Sequence, residues 1–379
     1  MLKSEISEKH IPGAVALISR NGKIIYHEAF GTSDDSGTLM EKDDIFRIAS
    51  QSKAVTSTAV MMLWEEAKFQ LDDPISKYIP EFRNPTVLET FSEKNTTYTS
   101  VPAEREITIR DLLTHCSGIG YGVIDGDSRM KMIYSKAGIT DLFTSENISI
   151  KESVLKLAKL PLQFSPGKKF KYSEGLDVLG YFVEVISGMP LDEFMQSRIF
   201  EPLQMNDTYF YLPDSKKDRL VKIQHWQDEK WENFPITFYD PAYPIKGAKT
   251  FFSGGAGLSS TTADYAKFLQ MYLNNGTSNG VRLLSRTTIN MMMQNQTSDL
   301  WKDTGRHYGL AFGVINQNGV TKGGQGGIGT FDWGGYFNTQ YFADPEEKII
   351  GILMKQTQGY NGDQTAWKFR QMVFSAIDD

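Results

Sequence analysis

The sequence has only one cysteine, Cys116, in 379 residues. A single cysteine cannot form an internal disulfide, and it excludes zinc sites that need several thiolates. No apolar run approaches the roughly 20 residues of a membrane-spanning helix. The first residues, MLKSEISEKHIPG, also lack the apolar core of a secretion signal. We therefore expect no membrane span, and the chain fits either a cytoplasmic protein or an exported protein whose leader has been removed.

Positive charge and metal-ligand patterns are scarce as well. The 40 Lys and Arg residues are outnumbered by 46 Asp and Glu residues, so the net charge is −6. Binding to a nucleic acid backbone needs an excess of basic residues, which argues against a nucleic acid partner. No H-x-x-x-H or H-x-H spacing occurs among the histidines, so we predict no metal site; they are His10, His27, His115, His225 and His307. The composition leaves the oligomeric state open.

Both ends of the chain carry β-hairpin patterns. Residues 14–20 form an apolar, β-branched run, Asn21-Gly22 provides a turn, and residues 23–30 alternate back. Near the C-terminus, residues 339–343 and 349–354 flank a polar turn. These two hairpins predict one sheet assembled from both termini.

Helical patterns dominate between about residues 76 and 245, where strand patterns are scarce. The first strong helix begins near Ser50, where apolar residues start to recur at helical spacing. Further helices are predicted at residues 109–114, 153–159, 176–187, 191–200 and 262–273. We therefore predict an α/β sandwich domain formed by residues 1–75 and 246–379, interrupted by a mainly helical inserted domain of residues 76–245.

Ser50-Gln51-Ser52-Lys53 is the pattern with the clearest chemical meaning. If Ser50 lies at a helix start, Lys53 at i+3 lies on the same face, within hydrogen-bond reach of the serine hydroxyl. Burial lowers the pKa of a lysine, so a desolvated Lys53 could deprotonate the serine, and the helix N-terminus favours the developing anion. Alone, the S-x-x-K pattern more often marks a helix cap followed by an exposed lysine.

The segment 46–53, FRIASQSK, resembles the nucleophile region of class C β-lactamases, the related S-x-x-K carboxylesterases and the penicillin-binding-protein-like D-amino peptidases. Other blocks resemble the same family in the same order, from about residue 10 to about residue 355; they are LDDPI (71–75), IPEF (79–82), ITIRDLLTH (107–115), FSPG (164–167), IFEPL (199–203) and GGAGLSS (254–260). The resemblance implies an α/β fold with an antiparallel sheet flanked by helices. It also implies that Ser50 is the nucleophile and Lys53 its activator, with no cofactor.

The family's second motif, Y-x-N, corresponds to Tyr172-Ser173-Glu174 in this sequence. The resemblance implies that Tyr172 takes the serine proton and passes it to the leaving group. Glu174 departs from the motif, because an ionised glutamate cannot donate a hydrogen bond to a substrate carbonyl as asparagine does. We expect Glu174 either to reach Lys53, where its charge would keep the lysine protonated, or to point to solvent.

The third motif, K-T-G or a variant, lies in this family on the strand that faces the nucleophile. Lys322-Gly323-Gly324 matches K-x-G but lies far upstream of the final hairpin, so we favour Trp333-Gly334-Gly335, which resembles the esterase-like branch. Glycines there let the backbone approach a substrate carbonyl, and the N–H groups of Ser50 and Tyr336 would form the oxyanion hole. A tryptophan at this point could equally serve core packing. The missing lysine removes a cation for a substrate carboxylate, which favours neutral esters.

These residues predict a serine hydrolase that forms an acyl-enzyme on Ser50 and acts on a small-molecule ester or amide. A carboxylesterase for small or medium esters is the first hypothesis, and a β-lactamase or D-amino peptidase on the same scaffold is the second. The third, for which Glu174 is the only hint, is a catalytically silent binding or sensor protein. Residues 121–147 and 226–243 are predicted to rim the acyl pocket.

Overall fold

A seven-stranded sheet combines strands from both ends of the chain in this computed structural model, which describes residues 1–303, 305–323 and 326–378. In chain order the strands are β1 (Gly13–Arg20), β2 (Lys23–Gly31), β3 (Phe46–Arg47), β4 (Thr86–Ser92), β5 (Thr97–Pro102), β6 (Gln224–Gln227), β7 (Lys230–Asn233), β8 (Ser259–Ser260), β9 (Thr277–Ser278), β10 (Val281–Arg282), β11 (Arg306–Tyr308), β12 (Gly313–Ile315), β13 (Phe331–Gly334), β14 (Gln340–Asp344), β15 (Ile349–Met354) and β16 (Thr357–Gln358).

The helices are α1 (Leu2–Ser7), α2 (Ser52–Glu65), α3 (Ile109–Leu113), α4 (Ser128–Ala137), α5 (Ile150–Leu157), α6 (Gly175–Ser187), α7 (Leu191–Met195), α8 (Glu201–Leu203), α9 (Thr262–Leu273), α10 (Arg286–Met292), α11 (Gln317–Thr321) and α12 (Thr365–Ser375). The predicted helix 191–200 is α7 followed by a π-helical turn, Gln196–Phe200. Within the described residues, no helix combines the length and the apolar character that crossing a membrane requires.

The strand order of the large sheet is β11-β12-β13-β14-β15-β1-β2, and every pair of neighbours is antiparallel. Asn21 and Gly22 join β1 to β2 with φ values of 51° and 75°, the left-handed turn conformation that an Asn-Gly pair adopts readily. β15 pairs with β1, so the C-terminal hairpin lies beside the N-terminal one. The predicted sheet from both termini is confirmed.

Helices cover both faces of this sheet. The side chains of β1 point alternately to the two faces, so they contribute to two separate apolar clusters. Val15 and Leu17 belong to the main core, on the face where α9 packs against β1 and β15. Ala14 and Ala16 belong to a smaller cluster on the other face, which includes Phe369 of α12. The fold is therefore the predicted antiparallel sheet flanked by helices.

The region between residues 76 and 245 contains α3 to α8, but also two hairpins that the sequence analysis did not predict. They are β4–β5 and β6–β7. All of β5 is solvent-exposed, and polar threonines and serines make up much of both β4 and β5. In this hairpin Leu88 is the one buried side chain, so its strands lack the alternation of apolar residues that marks a half-buried strand. The boundaries of the inserted domain, 76 and 245, stay a prediction.

Candidate active site

Ser50 lies in a 3-10 turn, Ala49–Gln51, between β3 and the start of α2. The helix therefore begins two residues later than the sequence predicted. Ala49 is fully buried and has a φ of 44°, a left-handed conformation that costs a non-glycine residue about 1–2 kcal/mol. Backbone strain of this kind occurs preferentially at functional positions, and here it directly precedes a half-buried serine.

Lys53 is 1% exposed and lies against the serine. Its Nζ donates to Ser50 Oγ at 3.3 Å, to Tyr121 Oη at 3.1 Å and to the carbonyl of Gly255 at 2.7 Å. The predicted contact between Lys53 and Ser50 is therefore present. These three neutral acceptors use all three N–H groups of an ammonium. Asp177 is also buried nearby, and burial raises the pKa of its carboxyl group although the Lys53 charge opposes that shift.

Tyr121 is a site residue that the sequence analysis placed only in the pocket rim. Its side chain is 1% exposed and its hydroxyl accepts from Lys53, while its backbone N–H donates to Asp125 Oδ2 at 2.7 Å. Burial, reinforced by Tyr172, raises the pKa of Tyr121 well above 10. The phenol therefore stays protonated at neutral pH and serves Lys53 as a hydrogen-bond partner. In the sequence, Tyr121 follows shortly after the ITIRDLLTH block (107–115) and Ser117-Gly118. This closeness to a block that resembles the family could have indicated a role in the site.

Tyr172 lies beside Lys53 but presents its ring to it. Lys53 Nζ is 4.7 Å from the ring centroid, and the Tyr172 hydroxyl accepts from Trp333 Nε1 at 3.4 Å. The ring also packs against His115, with centroids 4.5 Å apart, and the N–H of Ser173 donates to His115 Nδ1 at 3.2 Å. Burial lowers the pKa of His115 well below 6.5. This histidine is therefore neutral, and it fixes the backbone that carries Tyr172.

Glu174 occupies neither of the two predicted positions. It is 3% exposed, so it does not point to solvent, and it is absent from the three hydrogen-bond partners of Lys53. Its Oε1 accepts from the N–H of Gly122 at 3.1 Å, and its carboxyl group is hydrogen-bonded to Asp141. Burial, and then the negative charge of Asp141, raise the pKa of Glu174 well above 4.5. Glu174 therefore forms a buried carboxyl pair with Asp141, in which the protonated form of Glu174 is favoured.

The end of β13 lies directly against the turn that holds the serine. A Cβ atom on Gly335 would stand 2.4 Å from the carbonyl oxygen of Ile48, so only glycine allows this approach. Within the described residues, neither the N–H of Ser50 nor that of Tyr336 has a hydrogen-bond partner. Both N–H groups are therefore available to a substrate oxygen. Trp333, in the same segment, packs beside Tyr172 with ring centroids 5.8 Å apart.

Of the competing Lys322-Gly323-Gly324 motif, Gly324 lies outside the described residues. Lys322 directly follows α11 and is exposed.

Aromatic side chains surround the serine turn. Ala49 belongs to an apolar cluster that includes Tyr121 and four further buried rings, here called the aromatic wall: Phe143, Tyr239, Tyr243 and Phe337. Phe143 stacks on Tyr243 and Phe337, with centroids 4.6 and 5.5 Å apart. Both segments predicted as pocket rim contribute to this wall. In the described parts of the chain, no three His, Cys, Asp or Glu residues are arranged to hold a metal ion.

Comparison with known proteins identifies the family of this chain. The sequence model of the Beta-lactamase family matches residues 2–373. Protein Rv1367c of Mycobacterium tuberculosis is 32% identical over 360 residues, which cover 91% of this chain and 86% of that protein. Esterase EstB of Burkholderia gladioli is 27% identical over 382 residues, covering 95% and 90%. The solved structure of EstCE1, a hydrolase with promiscuous acyltransferase activity, is similar with a TM-score of 0.80 at 26% identity, covering 98% of this chain and 95% of that one. The chain belongs to the Beta-lactamase family and is a serine hydrolase.

Proposed function

We propose that this protein is a carboxylesterase that hydrolyses small or medium esters through an acyl-enzyme on Ser50. The observation that carries the proposal is the buried amine of Lys53, 3.3 Å from the Ser50 hydroxyl. When the amine of Lys53 is unprotonated, it accepts a hydrogen bond from Ser50 Oγ instead of donating one, and it can take the serine proton as the hydroxyl becomes a nucleophile. The two free N–H groups, of Ser50 and Tyr336, would stabilise the oxygen anion that forms on the ester carbonyl.

The reaction needs only groups of this chain, the ester and water. Ser50 Oγ attacks the carbonyl carbon, and its proton passes to the unprotonated amine of Lys53, either directly or through the Tyr172 hydroxyl, which gives its own proton to Lys53 as it takes that of the serine. When the tetrahedral intermediate collapses, the bond to the alkoxy group breaks and the alcohol leaves with that proton. A water molecule then attacks the acyl-enzyme with the same groups acting in reverse, which releases the acid and restores Ser50. Tyr121, which stays protonated, orients Lys53 throughout.

Charge at the site favours neutral esters over β-lactams. Trp333 stands in the segment where the K-T-G lysine would bind a substrate carboxylate, and its ring packs on Tyr172. Glu174 does not replace the asparagine of the family motif, since its carboxyl group faces Asp141 and the N–H of Gly122. The similarity to an esterase and to a hydrolase with acyltransferase activity supports the same choice. We expect kcat/KM for a short-chain ester to exceed that for a cephalosporin by at least ~100-fold, a difference of about 2.7 kcal/mol.

The test combines covalent labelling with a substrate panel. A fluorophosphonate should label the wild type and not Ser50→Ala, whereas Ser278→Ala, which removes a hydroxyl of β9 outside the site, should be labelled normally. The panel comprises p-nitrophenyl esters, a cephalosporin and a D-Ala peptide. Equal turnover of ester and cephalosporin would refute the esterase assignment. Absence of any label on a folded wild-type protein would instead support the silent binding or sensor hypothesis.

A further inference from the structure

Arg47, three residues before the nucleophile, is a buried charge with neutral partners. It is 2% exposed, and its guanidinium donates to the carbonyl of Val221 at 2.8 Å, to Gln356 Oε1 at 3.3 Å and to the carbonyl of Pro241. Within the described residues no carboxylate lies at ion-pair distance from it, and burial lowers its pKa to about 10. Burying a charge without an opposite charge is costly. We therefore expect Arg47 to be kept for the positions in which its hydrogen bonds hold the three acceptor groups, and not for net stability.

Gln356, which follows β15, links Arg47 to Phe337 in the segment after β13. Its Oε1 accepts from the Arg47 N–H at 3.1 Å, and its Nε2 donates to the Arg47 carbonyl at 3.0 Å. This side chain therefore pairs with β3 much as a neighbouring strand would. The next residue, Thr357, donates its N–H to the carbonyl of Phe337 at 3.1 Å. The strand before Ser50 is thus connected to one ring of the aromatic wall.

The Pro241 bond connects Arg47 to a second part of the wall. The loop around Pro241 carries two rings of the wall, Tyr239 and Tyr243, whereas its Ile236 and Phe238 are 69% and 40% exposed. Tyr239, two residues before Pro241, is 3% exposed and packs against the other rings of the wall. The guanidinium therefore holds, at one point, the backbone between Tyr239 and Tyr243.

We propose that Arg47 is a positioning residue that holds the aromatic wall in place relative to Ser50, and that it thereby sets selectivity for esters with flat, bulky acyl groups. The proposal rests on the esterase function proposed above. Aromatic rings bind a flat group well only when their mutual orientation is fixed. A benzoyl group would depend on that orientation, whereas an acetyl group gains little from it.

The experiment compares p-nitrophenyl benzoate with p-nitrophenyl acetate, which share a leaving group and differ only in the acyl group. Arg47→Lys keeps the charge, but a single ammonium lacks the planar fork that spans all three acceptors. We expect KM for the benzoate to rise about tenfold, with kcat and KM for the acetate within about threefold of wild type. Tyr239→Leu should give the same shift, because it removes the ring that the loop positions. An unchanged benzoate-to-acetate ratio in Arg47→Lys would overturn the proposal.

Two controls separate positioning from general instability and from failure of the proposed function. Leu284→Ala removes a fully buried core side chain that is not part of the aromatic wall, so it should lower Tm and leave the ratio unchanged. Amide hydrogen exchange of residues 234–245 should accelerate in Arg47→Lys, while residues 255–260 stay protected. If the wild type neither hydrolyses an ester nor accepts the label, the esterase proposal fails. Hydrogen exchange then still tests whether Arg47 holds the loop, and unchanged exchange in Arg47→Lys refutes that role. If Arg47→Lys does not fold, Gln356→Leu provides the second variant, with the same expected shift in the ratio.

Discussion

Replacing Glu174 by glutamine tests the charge state of the buried carboxyl pair. Glu174 and Asp141 are 3% and 9% exposed, and burial, with the negative charge of Asp141, raises the pKa of Glu174 well above its ordinary 4.5. The folded protein therefore keeps a proton on Glu174 at pH values where the unfolded chain has lost it. Glutamine has nearly the same shape and can donate a hydrogen bond as the protonated acid does, but it cannot ionise.

The sign and size of the effect follow from proton linkage. Below the ordinary pKa both states are protonated, and Glu174 adds no pH dependence. Between the ordinary and the raised pKa the folded state binds more protons, so the free energy of unfolding falls as pH rises, by up to about 1.4 kcal/mol per pH unit. Glu174→Gln cannot ionise at this position, so its free energy of unfolding does not fall with pH in this way. Its stability relative to wild type should therefore grow with pH from about pH 5 upward, and for a chain of this length the Tm difference should widen by roughly 2 °C per pH unit.

Calorimetric melting of both proteins at pH 5, 6, 7 and 8 measures this difference. Glu89→Gln, at an exposed position of β4, is the control and should show a constant difference from wild type. Asp141→Asn should flatten the pH dependence of wild type, since it removes the charge that raises the pKa of Glu174. A Tm difference between wild type and Glu174→Gln that does not change with pH would refute the protonated pair. Because Lys53 hydrogen-bonds to Ser50, Tyr121 and Gly255 and not to Glu174, we expect the acidic limb of the kcat/KM profile to stay at the same pH in Glu174→Gln.

Three further predictions concern the reaction itself. Lys53→Met should lower kcat for esters by about 10²–10⁴-fold, as expected for loss of an acid–base group, and wild-type acylation in single-turnover kinetics would contradict that role. Tyr172→Phe should cost more in kcat than Tyr121→Phe, because the high pKa of Tyr121 prevents it from accepting a proton; the reverse order would make Tyr121 the proton carrier. Gly335→Ala should lower kcat by about 10²–10³-fold, since its methyl group would overlap the carbonyl of Ile48 and displace the adjoining oxyanion N–H; unchanged kcat would place the oxyanion hole elsewhere.

The parts of the fold that could be predicted are those in which one local pattern determines the structure. The N-terminal hairpin depends on the alternation of β1 and β2 and on Asn21-Gly22, and its strands extend the predicted ones by one residue each. The helix predicted at 262–273 has the same first and last residues as α9, because its apolar face is buried against the sheet. By contrast, β5 is exposed throughout and β4 buries Leu88 alone, so no regular alternation of apolar residues marked these strands in the sequence.

The same contrast holds within the candidate site. Ser50 and Lys53 are three residues apart, and helical geometry alone brings their polar atoms together. Tyr121 is 68 residues from Lys53 in the chain, so only the tertiary fold makes them partners. Arg47 is likewise separated by 194 residues from Pro241. Contacts of this kind leave no local spacing in the sequence, which explains why the resemblance to the family located the serine and lysine and not the groups that hold them.

Glu174 shows how a residue's surroundings can reverse what its identity predicts. As an ionised group beside Lys53 it would have kept the lysine protonated, and it was the only hint in the sequence of a silent protein. In the structure it pairs with Asp141 and accepts from the N–H of Gly122, and its raised pKa disfavours the negative charge that was expected to act on the lysine. The departure from the Y-x-N motif therefore removes an amide donor without removing the amine that activates Ser50. Of the three initial hypotheses, the silent protein loses its supporting observation, and the choice that remains is between substrates of an acyl-enzyme.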